Sequence, residues 1–276
     1  MDEKKSFFEL LTPKSALIVG IVAGVLVIGT VGFIIMLAMK FASATPAVKD
    51  TSDQTAQAQQ QAQQPQPTAV TKSDRPKVEL FVMSYCPFGL QMEKAYLPAW
   101  ELLKNKADID VKFVYYSMHG EKEVTENTRQ YCIQKDFKDK YIPYLTCFTA
   151  KDDFASCLSA VGLTESRLAG CMQTTDKTFK ITEKFNDKSS WLSGQFPLYP
   201  VYAELNQKYG VQGSPTLIVN GVSVQTARIP DAVKEQICAA FNNPPAECSQ
   251  KLSTVGVSSG FGTGTDSGAA AANCGS

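Results

Sequence analysis

The sequence lacks a charge excess, and it has almost no histidine. Lysine plus arginine and aspartate plus glutamate both total 27, so the formal net charge is zero at pH 7. Proteins that bind nucleic acid usually present a basic surface, and this balance gives no indication of such a partner. His119 is the single histidine, and no two of the eight cysteines are spaced as Cys-x-x-Cys. Neither the histidine content nor the cysteine spacing therefore indicates a zinc site.

Residues 15–39 contain no charged side chain and consist mainly of Ile, Val, Leu, Gly and Ala. These 25 residues exceed the roughly 20 that a membrane-spanning helix needs, so we predict a transmembrane anchor. Three lysines precede the stretch and one follows it closely, which places residues 1–14 in the cytoplasm and the rest outside. A cleaved signal peptide is the alternative, because residues 42–44 read Ala-Ser-Ala. Both interpretations export the remaining chain to a space where disulfides persist.

The exported part divides by composition. Residues 42–76 lack aromatic side chains and are rich in Gln, Ala, Pro and Thr, so we predict a flexible linker over 40–76. A globular domain is expected over 77–248, which is long enough to bury a core. Residues 249–276 are mostly Ser, Gly, Thr and Ala, and we predict that they form a disordered tail.

A reactive cysteine is indicated near the start of the domain. Val78–Met83 is an apolar run typical of a buried strand, and Pro87 opens a helical pattern that extends to about Lys106. Cys86 lies between them, where the positive end of the helix dipole favours a thiolate over a thiol. A dithiol site would place a second cysteine three residues later, but Gly89 occupies that position.

The next strand, Ile109–Tyr116, completes a strand–helix–strand unit with parallel strands. Because parallel strands end at the same edge of a sheet, we expect the loop 117–120 to lie at the edge that carries Cys86. The imidazole of His119 in this loop could pair with the thiolate or transfer protons during exchange.

A helical insertion is predicted over about 121–195, and it contains four of the cysteines. In an exported chain, four cysteines on short helices indicate two structural disulfides, and three pairings are possible. A zinc site is the alternative. A further disulfide is predicted between the two cysteines that flank Asn242-Asn243-Pro244-Pro245. The cysteines concerned are Cys132, Cys147, Cys157 and Cys171 in the insertion, and Cys238 and Cys248 at the end of the domain.

A second motif, Val211-x-Gly213-Ser214-Pro215-Thr216, precedes the strand Thr216–Val219. Asn220-Gly221 is a strong hairpin signal that leads into a returning strand, Val222–Gln225. Pro215 opens the first of these strands, in a position where a cis peptide bond can be held in a tight turn. A final helix is expected from Pro230 to Phe241.

The two motifs, separated by a helical insertion, resemble those of the thioredoxin superfamily and, within it, the DsbA-like branch. The insertion cysteines, the run Tyr85-Cys86-Pro87 and the later Asn220-Gly221 are also similar to the lysosomal thiol reductase family. The resemblance covers about residues 77–241. It implies an α/β, thioredoxin-like fold with a helical insertion, here preceded by one transmembrane helix.

The resemblance also implies roles for residues of both motifs. Cys86 would be the attacking sulfur, Pro215 the cis-proline beside it, and Ser214 the residue whose backbone pairs with an extended substrate chain. Substrate contacts are further expected at the neighbouring positions Tyr85, Pro87 and Phe88.

Gly89 departs from the family pattern, so a thiol from elsewhere has to resolve the mixed disulfide. That thiol could belong to the substrate or to an external reductant. It could also be Cys274, which a flexible tail could carry to Cys86 at high effective concentration. Alternatively, Cys274 links two chains or has no role.

The sequence therefore predicts a membrane-anchored, extracytoplasmic thiol–disulfide oxidoreductase of reductase or isomerase type that uses a single nucleophilic cysteine. No cofactor or metal is expected, and the partners would be exported cysteine-containing proteins and an external thiol or membrane redox partner. Two alternatives remain. One is a catalytically degenerate module that binds unfolded or extended polypeptide, and the other is a structural envelope protein crosslinked through Cys86 or Cys274.

Overall fold

The computed structural model describes residues 69–266 and 273–275. Within these residues, four strands form one sheet in the order β2-β1-β3-β4. The central strand β1 runs parallel to β2 and antiparallel to β3, and β3 pairs antiparallel with β4 through the hairpin. The strands are β1 (Lys77–Val82), β2 (Asp108–Phe113), β3 (Thr216–Val219) and β4 (Val222–Val224).

The two faces of β1 bury different clusters, because successive side chains of a strand point to opposite faces. Leu80 and Val82 belong to the larger core, which includes the apolar side chains of the helix that follows β1. Phe81 and Met83 belong to a smaller cluster on the other face, which also contains Cys86. The mainly apolar run predicted as a buried strand, which contains one acidic residue, Glu79, is thus explained by burial on both faces.

Helix α1 (Pro87–Leu103) follows β1 and continues through Pro98 without a break. After β2, the predicted helical insertion is formed by α2 to α6 and by a 3₁₀ turn. Two disulfides, Cys132–Cys171 and Cys147–Cys157, connect these helices. The insertion helices are α2 (Glu121–Asp136), α3 (Lys138–Lys151), α4 (Phe154–Ala160), α5 (Glu165–Phe179) and α6 (Ile181–Asn186), with the turn at Lys188–Ser190.

The chain returns to the sheet through α7 (Ala203–Tyr209), which a 3₁₀ turn at Pro200–Tyr202 precedes. Helix α8 (Pro230–Cys238) packs beside α1, and a disulfide joins Cys238 to Cys248. A 3₁₀ turn at Ala246–Ser249 follows. The sheet order, the βαβ unit and the β3–β4 hairpin confirm the expected thioredoxin-like α/β fold with a helical insertion.

The C-terminal tail, residues 249–276, differs from the prediction. Disorder was expected, but residues 249–266 and 273–275 have defined positions, so the prediction is wrong for them. Two short strands, β5 (Gly256–Val257) and β6 (Thr265–Asp266), pair antiparallel within the tail.

Contacts with α1 and α3 explain why the tail is ordered. The Lys94 ammonium donates to the carbonyl oxygens of Gly260 and Gly262, both at 2.9 Å. The ring of Phe261 packs edge-on against Tyr85 and Phe148, with centroids 5.6 and 5.3 Å apart. Composition alone predicted disorder because the tail has few apolar side chains, yet its backbone carbonyls and one aromatic ring find partners on the domain.

The domain also begins earlier than predicted, because part of the 40–76 linker is bound to it. The backbone N–H of Ser73 donates to Ala240 O at 2.9 Å, and Arg75 pairs with Asp108 at 2.7 Å. No helix within 69–266 or 273–275 is long and apolar enough to cross a membrane. The predicted anchor at 15–39 lies outside the described residues.

Candidate functional site

Cys86 is the N-terminal cap of α1. The Gly89 N–H donates to Cys86 Sγ at 3.3 Å, and the Leu90 N–H donates to the Cys86 carbonyl at 2.9 Å. Pro87 occupies the first helical position, where its missing N–H leaves no donor unsatisfied. The sulfur therefore lies at the positive end of a 17-residue helix and accepts one of its free N–H groups.

The second motif lies directly against the first. The Ser214–Pro215 peptide bond is cis. The Ser214 hydroxyl accepts a hydrogen bond from the Met83 N–H at 2.9 Å, and the Ser214 carbonyl oxygen lies 3.4 Å from Cys86 Sγ. The end of β1 and the cis-proline loop thus meet at the cysteine, although 128 positions separate Cys86 from Ser214.

A second cysteine occupies the site. Cys86 is joined by a disulfide to Cys274, 188 positions further along the chain. Cys86 is fully buried, whereas Cys274 is partly exposed. The prediction of a site with a single cysteine is therefore not confirmed, because the tail, once ordered, brings a partner sulfur to Cys86.

Backbone pairing holds the tail at this position. Ser214 and Cys274 form an isolated antiparallel bridge in which each residue's N–H donates to the other's carbonyl oxygen, at 2.9 and 2.7 Å. The Tyr116 hydroxyl lies 2.8 Å from the Gly275 carbonyl oxygen and 2.7 Å from that of Gln212. Since a hydroxyl has one hydrogen, it donates to one of the two at a time.

Glu123 connects the loops around the cysteine, and the sequence interpretation missed it. Its Oε1 accepts hydrogen bonds from the Ser117 hydroxyl at 2.6 Å and the Met118 N–H at 2.9 Å. Its Oε2 accepts from the N–H of Tyr85, the residue before Cys86, at 3.2 Å. One fully buried carboxylate thus fixes the 117–119 loop against the strand-to-helix turn. The sequence signal was an acidic residue in the first turn of α2, which commonly reflects only the helix dipole.

His119 lies in the loop predicted to flank the site, but its imidazole faces Glu123. Its Nδ1 is 2.5 Å from Glu123 Oε2, and the described residues include no hydrogen bond from this ring to either sulfur. Burial would raise the pKa of the Glu123 carboxyl. The hydrogen bond and charge of His119, with the bonds from Ser117 and Met118, outweigh burial and lower this pKa below its usual value.

The predicted substrate-contact residues separate into two groups. The Tyr85 ring packs against Phe148, with Lys122 Nζ 4.1 Å from the ring centroid, so it faces the insertion and the tail. Burial, followed by the charge of Asp152, raises the pKa of its hydroxyl to about 12. Phe88 is partly exposed in the cluster that contains Cys86 and Cys274, and Pro87 is exposed.

A buried acid on α1 is a second feature that the sequence did not reveal. Glu93 is fully buried, and neither carboxyl oxygen has a hydrogen-bond partner within the described residues. Burial, with the nearby Glu126 carboxyl, raises the pKa of Glu93 well above its usual value, which favours the protonated form of this carboxyl. Glu126 is also buried but accepts hydrogen bonds from Gln130 and Tyr144, at 2.9 and 2.8 Å.

No protein-family model matches the sequence, and no curated protein matches it either. Solved structures do match. Oxidised DsbA from Mycobacterium tuberculosis is 15% identical over 65% of this chain and 95% of its own, with a TM-score of 0.44. The reduced disulfide oxidoreductase DsbG from the same organism is also 15% identical, over 65% of this chain and 89% of its own (TM-score 0.43). Oxidised BdbD from Bacillus subtilis is 18% identical over 63% of this chain and 92% of its own, with a TM-score of 0.41.

Proposed function

We propose that the chain is a thiol–disulfide oxidoreductase that uses Cys86 and Cys274 as its redox pair. The observation that carries this proposal is the disulfide between them, formed at a helix N-terminus beside a cis-proline loop. A structural disulfide has no need of a free helix N–H at one sulfur, whereas a leaving or attacking thiolate is stabilised by it.

In the reducing direction, the Cys86 thiolate attacks one sulfur of a substrate disulfide. The substrate S–S bond breaks, a bond forms between Cys86 and that sulfur, and the other substrate sulfur leaves as a thiolate. The Cys274 thiolate then attacks Cys86 Sγ, which releases the remaining substrate sulfur as a thiolate and forms the Cys86–Cys274 disulfide. The substrate is reduced by two electrons and the protein is oxidised by two.

The same steps run backwards oxidise a substrate dithiol, because the oxidised pair accepts the two electrons. A substrate thiolate attacks Cys86 Sγ, the Cys86–Cys274 bond breaks, and Cys274 leaves as a thiolate. The second substrate thiolate then attacks the substrate sulfur of the mixed disulfide and expels Cys86 as a thiolate, which the Gly89 N–H, 3.3 Å from its sulfur, stabilises.

The proposal includes an extracytoplasmic location, with the chain anchored by residues 15–39. Support comes from the uncharged apolar sequence of that stretch and from the three disulfides remote from Cys86, since structural disulfides persist in exported proteins. The partners would then be exported cysteine-containing proteins, with an external thiol or a membrane redox partner regenerating the pair.

The test is insulin reduction, or reactivation of scrambled ribonuclease, by the full-length chain in detergent. Cys86→Ser should reduce catalysis to the uncatalysed rate. Cys274→Ser should still attack substrate but should accumulate the mixed disulfide, because its resolving thiol is missing. Full activity in Cys86→Ser would overturn the proposal.

The double variant Cys238→Ser/Cys248→Ser is the matched control, because it removes a disulfide that includes neither Cys86 nor Cys274 and should retain activity. Mass mapping of a non-reduced digest should recover a peptide that joins Cys86 to Cys274, and its absence under mild oxidation would contradict the pair. An inactive wild-type chain that still binds unfolded polypeptide would favour the binding module instead.

A further inference from the structure

Residues 273–275 lie where the cis-proline loop would pair with another polypeptide. An extended segment that adds to an exposed backbone edge gains hydrogen bonds that do not depend on its side chains. Here the edge is Ser214, and both of its backbone hydrogen bonds go to Cys274. The backbone groups of Ser214 are therefore already satisfied by the chain's own tail.

The residue after the cysteine has little room for a side chain. Gly275 has a φ of +79°, a conformation that favours glycine. A Cβ at this position would overlap the Tyr116 hydroxyl and approach Met118 Sδ at 3.3 Å. On the opposite side, a Cβ at position 213 would overlap the Cys274 carbonyl oxygen, so the loop residue has to be small for the segment to lie this close.

The residue before the cysteine meets a polar partner. Arg228 Nη2 donates to the Asn273 side-chain oxygen at 3.1 Å, while Nη1 donates to Gln91 on α1 at 2.9 Å. Arg228 is only 2% exposed, so its guanidinium is held in place and does not adapt freely to whatever lies beside it. A guanidinium has donors and no acceptor, and therefore selects an oxygen-bearing side chain at this position.

We infer that this groove, formed by residues 212–214, Tyr116 and Arg228, binds an extended polypeptide segment with the pattern oxygen-bearing residue–Cys–Gly, and that Asn273-Cys274-Gly275 occupies it as an internal substrate. The inference rests on the proposed function and specifies its substrate class. A substrate segment and residues 273–275 use the same backbone atoms of Ser214, so they bind in turn and never together.

Peptides that carry their cysteine as a mixed disulfide with thionitrobenzoate test the pattern on the full-length Cys274→Ser chain. The Cys86 thiolate attacks the peptide sulfur, the peptide–thionitrobenzoate bond breaks, and the coloured thiolate leaves while a Cys86–peptide disulfide forms. Each rate is divided by the rate of the same peptide with 2-mercaptoethanol, which removes differences in intrinsic reactivity.

A peptide containing Asn-Cys-Gly should react roughly tenfold faster than one containing Asn-Cys-Val, since a β-branched residue is strained at positive φ. A peptide containing Leu-Cys-Gly should also be slower, because it cannot accept from Arg228. Equal normalised rates for all three would overturn the substrate pattern but leave Cys86-dependent exchange intact. No Cys86-dependent reaction with any of them would overturn both proposals.

A second measurement uses the chain itself with all cysteines present. Gly275→Val should lower the equilibrium constant for the Cys86–Cys274 disulfide in a glutathione buffer by roughly tenfold, for the same steric reason. Thr263→Val, an exposed change elsewhere in the tail, is the control and should leave the constant unchanged. An unchanged constant in Gly275→Val would contradict the tight fit of residue 275.

Discussion

The hydroxyl of Ser214 occupies the space in which a side chain at position 89 would begin. A Cβ on Gly89 would lie 2.6 Å from Ser214 Oγ and 3.1 Å from the Met83 carbonyl oxygen. The Ser214 hydroxyl is itself held by the Met83 N–H. The position three residues after Cys86 is therefore closed to a second cysteine in this conformation, and the partner sulfur comes from the tail.

The first prediction concerns this contact. Gly89→Ala should destabilise the domain by about 1–3 kcal/mol, since an added methyl group has to displace a buried and hydrogen-bonded hydroxyl. The measurement is the midpoint of denaturant unfolding under oxidising conditions. Helix propensity alone would give the opposite sign, because alanine is the better helix former by about 1 kcal/mol.

Gly170→Ala is the matched control, because Gly170 lies within α5 and an added Cβ meets nothing within 4 Å. This variant should be neutral or more stable, by up to about 1 kcal/mol. Removing the Ser214 hydroxyl in Gly89→Ala/Ser214→Ala should recover part of the loss. If Gly89→Ala behaved like Gly170→Ala, the steric account of position 89 would be wrong.

Glu123 carries the second prediction. Its folded-state pKa is lowered, so its contribution to stability is complete above the ordinary value of 4.5 and is lost as the pH falls through the lower folded-state value. Glu123→Gln should cost roughly 1–3 kcal/mol at pH 7, because it removes hydrogen bonds to a buried charge. The measurement is the free energy of unfolding of both proteins between pH 7 and pH 3. The wild-type chain should lose the contribution of Glu123 to stability over this range, and the variant should lose correspondingly less.

Glu121→Gln, an exposed acidic residue in the same turn of α2, is the comparison and should change stability little at any pH. Reactivity should separate the two variants as well. Glu123 fixes the N–H of Tyr85 beside the cysteine, so Glu123→Gln should change the alkylation rate of reduced Cys86, whereas Glu121→Gln should not. Equal effects of the two changes would show that Glu123 acts only as a charge at the helix N-terminus.

Local patterns predicted the frame of the site. Thr216–Val219 was predicted as a strand and is β3, and the run from Val78 gives β1 within one residue at each end. Cys86 and Pro215 were placed from a strand-to-helix junction and from a proline at a strand start. These signals succeed because strand alternation, proline geometry and helix capping act over a few residues.

Long-range contacts account for what the sequence did not reveal. The tail was judged by composition, but its order depends on Lys94 donating to tail carbonyl oxygens, and any residue type supplies such an acceptor. In the sequence, Glu123 is an ordinary acidic residue near the start of a helix. Its role depends on the hydrogen bond from the Tyr85 N–H, which forms only in the folded chain. A side chain at position 89 would meet the hydroxyl of Ser214, which lies more than a hundred positions further along the chain.

The third prediction compares two disulfides remote from the site. In the chain-entropy account, a crosslink stabilises more when it closes a longer loop. Cys132 and Cys171 are 39 positions apart, whereas Cys238 and Cys248 are 10 apart. Replacing the first pair by alanine should cost about 4 kcal/mol and replacing the second about 3 kcal/mol. Denaturant unfolding of the two double variants measures which one loses more stability. A larger loss in the Cys238/Cys248 variant would contradict the entropic account for this fold.

The last prediction concerns Glu93, a buried acid without a hydrogen-bond partner in the described part of the chain. Its folded-state pKa is raised, so the unfolded chain loses its proton at a lower pH than the folded chain, and stability falls as the pH rises above the ordinary value of 4.5. Glu93→Gln keeps the shape but cannot ionise, and should therefore be the more stable protein at pH 7. The measurement is the melting temperature at pH 7, where a gain of about 1 kcal/mol would appear as a rise of about 2–4 °C in a domain of this size.

At pH 3 the difference should disappear, because the carboxyl is then almost entirely neutral in both states. Glu101→Gln, an exposed change on the same helix, should show no such pH dependence. A loss of stability in Glu93→Gln at pH 7 would show instead that the Glu93 carboxyl makes a stabilising contact that a side-chain amide cannot replace.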